Sequence, residues 1–212
     1  MDKKRILCFG DSNTWGYIPG SHHERYSEEV RYPKLLQSLL GSNFEVIEEG
    51  LNSRTLVSED PRPGKEGRKG SDYILPCLDS HDPLDFVALM LGTNELKSAF
   101  LNSAEKIGEL LEEFFIIKIL ERKSQFRDTT PKLIVIAPPR VNENTDYTKG
   151  KYDGAEEKSK KLAEIYKSLS EKHKCLYING SDLLTGSDGV HMTEDSHKVL
   201  AERVLKTIQE NN

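Results

Sequence analysis

The sequence predicts an α/β fold, a three-layer α/β/α sandwich around a five-stranded parallel sheet, with residues 1–212 as a single domain. Three observations predict it. Five short apolar runs recur along the chain, at Arg5–Phe9, Phe44–Ile47, Phe86–Leu91, Leu133–Ala137 and Leu176–Ile178. Segments of helical period lie between them. The central runs are almost continuously apolar, as strands covered on both faces must be, and 212 residues suffice for one core of that size.

Taken in order, the first run collapses at once into Gly10, Asp11, Ser12, Asn13 and Thr14, small polar residues that favour a tight turn. A helix is expected from about Tyr32 to Leu40, with Pro33 suited to its first turn. The Gly/Pro-rich polar stretch Glu59–Gly70 is expected as a surface loop inside the domain, with strand structure resuming directly after it. Longer helical segments are expected from Ser103 to about Lys123, from about Ala155 to Lys172 and from about Glu194 to Gln209. In the last of these, Leu200, Val204 and Ile208 share a face with Ala201 and Leu205. Strand–helix alternation with short connections gives a parallel, doubly wound sheet.

Composition excludes several classes of function. Thirty basic residues against thirty-five acidic give a net charge of -5, which asks for neither nucleic acid nor anionic lipid. The longest apolar runs, "FVALMLG" and "LIVIAPP", are far too short to span a bilayer. The first strand begins by Arg5, so no cleaved leader is expected. Cys8, Cys77 and Cys175 show no Cys-x-x-Cys spacing and read as thiols of a reducing compartment. A cytoplasmic protein is therefore expected. There is no His-Glu-x-x-His and no clustered Cys/His spacing, so neither a metal site nor a cofactor is expected.

Parallel sheets bind ligands outside the carboxyl ends of their strands. The residues that leave the five runs are Ser12 in "GDSNTWG", Gly50 and Asn52 in "EEGLNSRT", Gly92 and Asn94 in "LGTNELK", the stretch "APPRVNEN", and Asp188 and His191 in "SDGVHMTED". A hydroxyl, an imidazole, a carboxylate, backbone amides and a carboxamide on one edge are the parts for acyl transfer through a serine nucleophile. Each has a plainer reading alone. Ser12 and Asn94 could cap helices, Gly50 could serve a positive φ, and Asp188–His191 could be a loop contact. Their coincidence on one sheet edge favours catalysis. A flavodoxin-like nucleotide or flavin site is the alternative of another class, though the first loop lacks phosphate-cradling glycines. Of the other histidines, His22 and His23 are expected on the solvated surface, His81 in a turn, and His173 and His197 in structural positions.

These blocks resemble, in order and across nearly the whole chain, those of the SGNH (GDSL-type) hydrolases. The middle section, "GLNSRT" through "LPCLDSHDPLDFVALMLGTNELK", is most similar to the small bacterial arylesterase and acyltransferase branch, which includes esterases acting on acetylated carbohydrates. Asn13 after the serine departs from the usual GDSL wording, at a position outside the four catalytic ones. The resemblance implies a short-chain, first of all acetyl, esterase or an acyltransferase using the same acyl-enzyme. Ser12 would be the nucleophile, His191 the general base and acid, and Asp188 its orienting carboxylate. The oxyanion would be held by the amides of Ser12 and Gly50 and the carboxamide of Asn94. Substrate contacts are expected from Asn52, from Asp11 in a supporting hydrogen-bond role or a turn contact, and from Trp15 in a pocket or core position. The branch includes homo-oligomers whose neighbouring subunits narrow the entrance. The alcohol side of the substrate would be shaped by Tyr17–Glu28, Leu51–Gly70 and Val141–Tyr152.

Overall fold

The computed structural model describes residues 3–212. Its five strands are β1 (Lys4–Gly10), β2 (Phe44–Gly50), β3 (Phe86–Met90), β4 (Lys132–Ile136) and β5 (Leu176–Ile178). They form one parallel sheet in the order β2-β1-β3-β4-β5. Side chains of a strand alternate between faces, and both faces here are covered. Leu7 and Phe9 of β1, with Val87, Leu89 and Val135, pack under Ile74, Ile107, Phe115, Leu162 and Tyr166. Ile6 and Cys8, with Phe86, Ala88 and Ile134, pack under Tyr32, Leu36, Leu200 and Val204. The first layer holds α3 (Gly70–Ser80), α4 (Ala104–Leu111) and α6 (Ala155–His173); the second holds α2 (Tyr32–Leu40) and α7 (Glu194–Glu210). This double cover is why the strands read as continuous apolar runs.

Three elements differ from the sequence expectation. The chain after Glu59–Gly70 does not resume as strand. It forms α3, whose Ile74, Cys77 and Leu78 bury one helical stripe. Pro76 inside this helix removes one backbone donor and masks its period. The segment Ser103–Lys123 is not one regular helix. Ser103 Oγ caps α4 by accepting from Lys106 N–H at 3.0 Å, and a π-helical stretch, Glu112–Ile116, then joins it to α5 (Ile117–Glu121). The wider turn rotates the sequence so that Leu111, Phe115, Ile116 and Ile119 are all fully buried. The turn after β1 contains α1 (Ser12–Trp15), a single helical turn. Because all strands are parallel, their carboxyl ends share one edge, and the polar blocks gather there. No helix among the described residues is long and apolar enough to cross a membrane.

Candidate active site

The first piece of the site is α1. β1 is buried to its last residue, and Asp11 caps the turn that follows, its Oδ1 accepting from Asn13 N–H at 2.9 Å. Gly16 closes the turn with φ 88°, a conformation that glycine adopts without strain. Ser12 is the first residue of α1, where backbone N–H groups have no intrahelical acceptor. Its hydroxyl and its amide are therefore presented at the same sheet edge.

The second piece is the loop from β5 to α7. Asp188 Oδ1 accepts from the N–H groups of Val190 and His191, each at 2.9 Å. That folds the loop so that His191 Nδ1 donates to Asp188 Oδ2 over 2.7 Å. Gly20 N–H reaches the same oxygen at 3.1 Å. Burial pushes the Asp188 carboxyl up, but the hydrogen bond and charge of His191 and the two loop amides outweigh it, holding the group at about 2. The other imidazole nitrogen, Nε2, accepts from Ser12 Oγ at 2.9 Å. Ser12, His191 and Asp188 are 7%, 5% and 3% exposed, so this chain of hydrogen bonds lies almost wholly out of water.

Asn13 fixes the two pieces together. Its Oδ1 accepts from Met192 N–H at 2.8 Å and its Nδ2 donates to Val190 O at 3.3 Å. One carboxamide thus clamps both neighbours of His191 to the residue next to Ser12. The position where the sequence leaves the usual GDSL wording is the one that ties serine to histidine.

Asn94 leaves β3 in one turn of 3-10 helix, Asn94–Leu96, and its Nδ2 donates to the Arg54 carbonyl at 3.0 Å, leaving a second N–H. Arg54 is buried. Its Nη1 donates to Gly10 O at 2.9 Å and to Glu49 O, and its guanidinium lies 4.1 Å from the Phe9 ring centre. It thereby joins the carboxyl ends of β1 and β2. Glu95, fully buried, accepts from the N–H groups of Leu56, Val57 and Ser58 and holds the loop opposite Asn94 in place. Neither Arg54, between Ser53 and Thr55, nor Glu95, between Asn94 and Leu96, is marked for this role by its neighbours in the sequence.

Ser12, Asn52, Asn94, Asp188 and His191 all line one cavity of about 580 Å³. Three expected site residues do not. Asp11 is buried in its turn contact, and desolvation raises its carboxyl pKa. Trp15 is half-buried outside the cavity, because its backbone packs on Gly50 and its ring lies 5.0 Å from the Arg25 guanidinium. Tyr17 takes the aromatic place instead, stacked on His191. Gly50 lies behind the lining residues, where a Cβ would come within 2.2 Å of Trp15 N. Its amide as an oxyanion donor belongs with the proposals below. His22 and His23, expected on the open surface, are exposed but line the cavity mouth.

His81 caps α3, and His173 ends α6 beside Glu112. His197 is fully buried and accepts from Tyr32 N–H. Glu49, Cys77 and His81 bring ligand-type atoms within 4.8 Å of one another, a trio no sequence spacing reveals. Protein groups already engage it. His81 Nε2 and the Tyr73 hydroxyl bond the Glu49 carboxylate, Arg54 lies 3.8 Å from it, and burial pushes the Cys77 thiol up to about 12.

Residues 8–199 match the GDSL-like lipase/acylhydrolase family. The chain belongs to this family. Two solved structures of high similarity are Est24, a carbohydrate acetylesterase from Sinorhizobium meliloti (32% identity, 99% of this chain and 100% of that one, TM-score 0.91), and the native M. smegmatis aryl esterase (34% identity, 98% and 99%, TM-score 0.88). A putative arylesterase from Agrobacterium tumefaciens is 28% identical over 98% of this chain and 99% of that one, with a TM-score of 0.84. Among curated proteins, none matches the chain. Membership of the GDSL-like family fixes the reaction class as carboxylic ester hydrolysis and supports the α/β fold read from the strands.

Proposed function

We propose that this chain is a serine esterase that removes short acyl groups, acetyl first, from small-molecule or carbohydrate alcohols. The observation that carries the reading is the buried, unbroken chain from Ser12 Oγ through His191 to Asp188 at the wall of the cavity. Neutral His191 takes the Ser12 proton on Nε2 as Oγ attacks the ester carbonyl. Asp188 stays ionised, keeps the other proton on Nδ1 and offsets the positive charge that forms on the ring. The amides of Ser12 and Gly50 and the second N–H of Asn94 meet the oxyanion. Collapse of this intermediate releases the alcohol, which takes its proton from His191, and water then repeats the cycle on the acyl-Ser12. The acetyl preference is supported by the likeness to Est24, a carbohydrate acetylesterase.

We place the enzyme in the cytoplasm as a homo-oligomer. Its three free cysteines support the first statement, and the family resemblance supports the second. Sedimentation that finds only the 24.1 kDa chain at working concentration overturns the second.

The deciding experiment is a panel of para-nitrophenyl esters and acetylated sugars with the wild type and Ser12→Ala. Acetate turnover should be fastest, Ser12→Ala should lose it with little change in unfolding temperature, and a serine-directed phosphonate should label the Ser12 peptide alone. Retained turnover in Ser12→Ala removes the reading.

A further inference from the structure

The chain carries net charge -5, yet one wall of its cavity is built from cations: Arg62, Lys65, Lys97 and Lys151. The carboxylates lining it are Asp188, bound to His191, and the exposed Asp146. Composition alone does not produce that wall. It calls for a complementary charge on whatever fills the cavity.

Lys97 is the telling member. It is only 7% exposed, and its Nζ has no hydrogen-bond partner. The nearest carboxylate is Asp60 at 3.6 Å, but Asp60 already accepts from both Nε and Nη2 of Arg62, at 2.8 and 2.5 Å. One carboxylate thus stands between two cations and accepts its hydrogen bonds from Arg62. A buried ammonium whose hydrogen bonds are unmade loses solvation that a ligand can restore. Burial and the charge of Arg62 lower the Lys97 ammonium to about 8, and the same two causes, in the same order, lower that of Lys151. Lys151 lies over the Tyr147 ring at 3.7 Å, an arrangement that holds the charge in place without cancelling it.

We infer that the natural substrate is an ester whose alcohol part carries an anionic group, a carboxylate or a phosphate, held against Lys97 and Lys151 beside Arg62. This rests on the esterase reading and adds the substrate class. The charge falls on the alcohol side because an acetyl group at Ser12 fills only a small part of about 580 Å³. Asp60 occupies the Nε and Nη2 edge of Arg62, so a ligand meets the lysines with Nη1 of Arg62 beside them. The lysines act as point charges and accept a planar carboxylate or a tetrahedral phosphate alike. Arg62, Lys97 and Lys151 also line a second cavity of about 470 Å³, together with Asp60, Pro61, Ala99 and Phe100.

The test compares acetate esters of similar leaving groups: para-tolyl acetate, para-acetoxyphenylacetate and meta-acetoxyphenyl phosphate. One charge-assisted contact predicts a kcat/KM advantage of about tenfold to a hundredfold for an anionic ester over the neutral one. The larger of the two advantages assigns the anion. The ratio of anionic to neutral kcat/KM should fall toward one in Lys97→Met and in Lys151→Gln; the second, half-buried site guards against a folding defect at the first. A wild-type ratio at or below one, or a ratio unchanged in both variants, overturns the inference. Binding is read separately in Ser12→Ala by calorimetry, with para-hydroxyphenylacetate against para-cresol. Tighter binding of the anion supports the wall even where no ester is cleaved, and equal binding overturns it. Absence of Ser12-dependent cleavage of every ester overturns the esterase reading instead.

Discussion

The phenol ring of Tyr17 lies against the imidazole of His191, ring centres 4.3 Å apart and planes 25° from parallel. The Tyr17 hydroxyl in turn donates to Ser21 O at 3.0 Å and accepts from His23 N–H at 3.2 Å. The ring thus has two separable tasks, to hold the imidazole plane and to hold the loop at the cavity mouth.

Tyr17→Phe keeps the stack and loses the two loop bonds. It should raise KM while leaving kcat within about twofold, because both bonds hold the loop at the cavity mouth and neither touches the imidazole. Tyr17→Ala loses the stack as well. An aromatic pair contributes about 0.5–1.5 kcal/mol beyond its buried area, so kcat should fall roughly threefold to tenfold. Steady-state kinetics on a para-nitrophenyl ester decide this. Equal kcat in both variants removes the ring from imidazole positioning.

His197, six residues beyond His191, answers to pH differently. It is fully buried, its Nδ1 accepts from Tyr32 N–H at 3.3 Å, and its ring stacks loosely on Tyr32. Burial first, then the charges of Arg31 and His191, lower its pKa to about 3. The unfolded chain takes up this proton at about 6.5 while the folded chain resists it. Stability from His197 is therefore complete above about 6.5 and is lost as pH falls toward 3, by at most about 1.4 kcal/mol per pH unit. Denaturant unfolding at pH 7, 6 and 5 should show that slope in the wild type. His197→Gln, which cannot titrate, should be less stable at pH 7 but flatter with pH; an unchanged slope refutes the assignment.

The strands and the serine, histidine and carboxylate positions were legible because their signals are local. An apolar run needs no partner to be read, and Asp188 lies three residues from His191. Tyr17, Lys97 and Glu95 were not legible as site residues, since each acquires meaning only from a neighbour brought up by the fold. Trp15 shows the same limit. Its place three residues after Ser12 allows the pocket or the core, and one turn of α1 carries it to the β2 side. Helix α3 is not legible in the sequence because Pro76 lies inside its apolar stripe.

Gly50 is expected from the sequence as an oxyanion donor, and the structure shows it as a spacer. An added Cβ would lie 2.2 Å from Trp15 N, 2.6 Å from Trp15 Cα and 2.7 Å from Thr14 C. These are backbone atoms of the turn that presents Ser12, so rotamer changes cannot relieve the clash. Gly50→Ala should destabilise the fold by about 1–3 kcal/mol through overpacking and displace Ser12 from His191. Activity and unfolding temperature should fall together. A variant with wild-type stability and activity would show that α1 does not need this close approach.

Asn94 is where capping and catalysis part most clearly. Its Nδ2 donates to the Arg54 carbonyl at 3.0 Å, and the residue, 5% exposed, lines the same cavity as Ser12. Asn94→Ala leaves that carbonyl without its donor, which should cost about 1–3 kcal/mol of stability. If the second N–H serves the oxyanion, kcat should also fall by about 10²–10³-fold. KM should move little, because the charge it meets develops only after Ser12 attacks. Asn94→Asp separates the two roles further. A carboxylate faces both the Arg54 carbonyl and the developing oxyanion with negative charge, so its kcat should lie below that of the alanine variant. Measuring kcat, KM and unfolding temperature for both variants gives the answer. Near-normal kcat with a lowered unfolding temperature would make Asn94 a clamp on Arg54 and leave the oxyanion to the backbone amides.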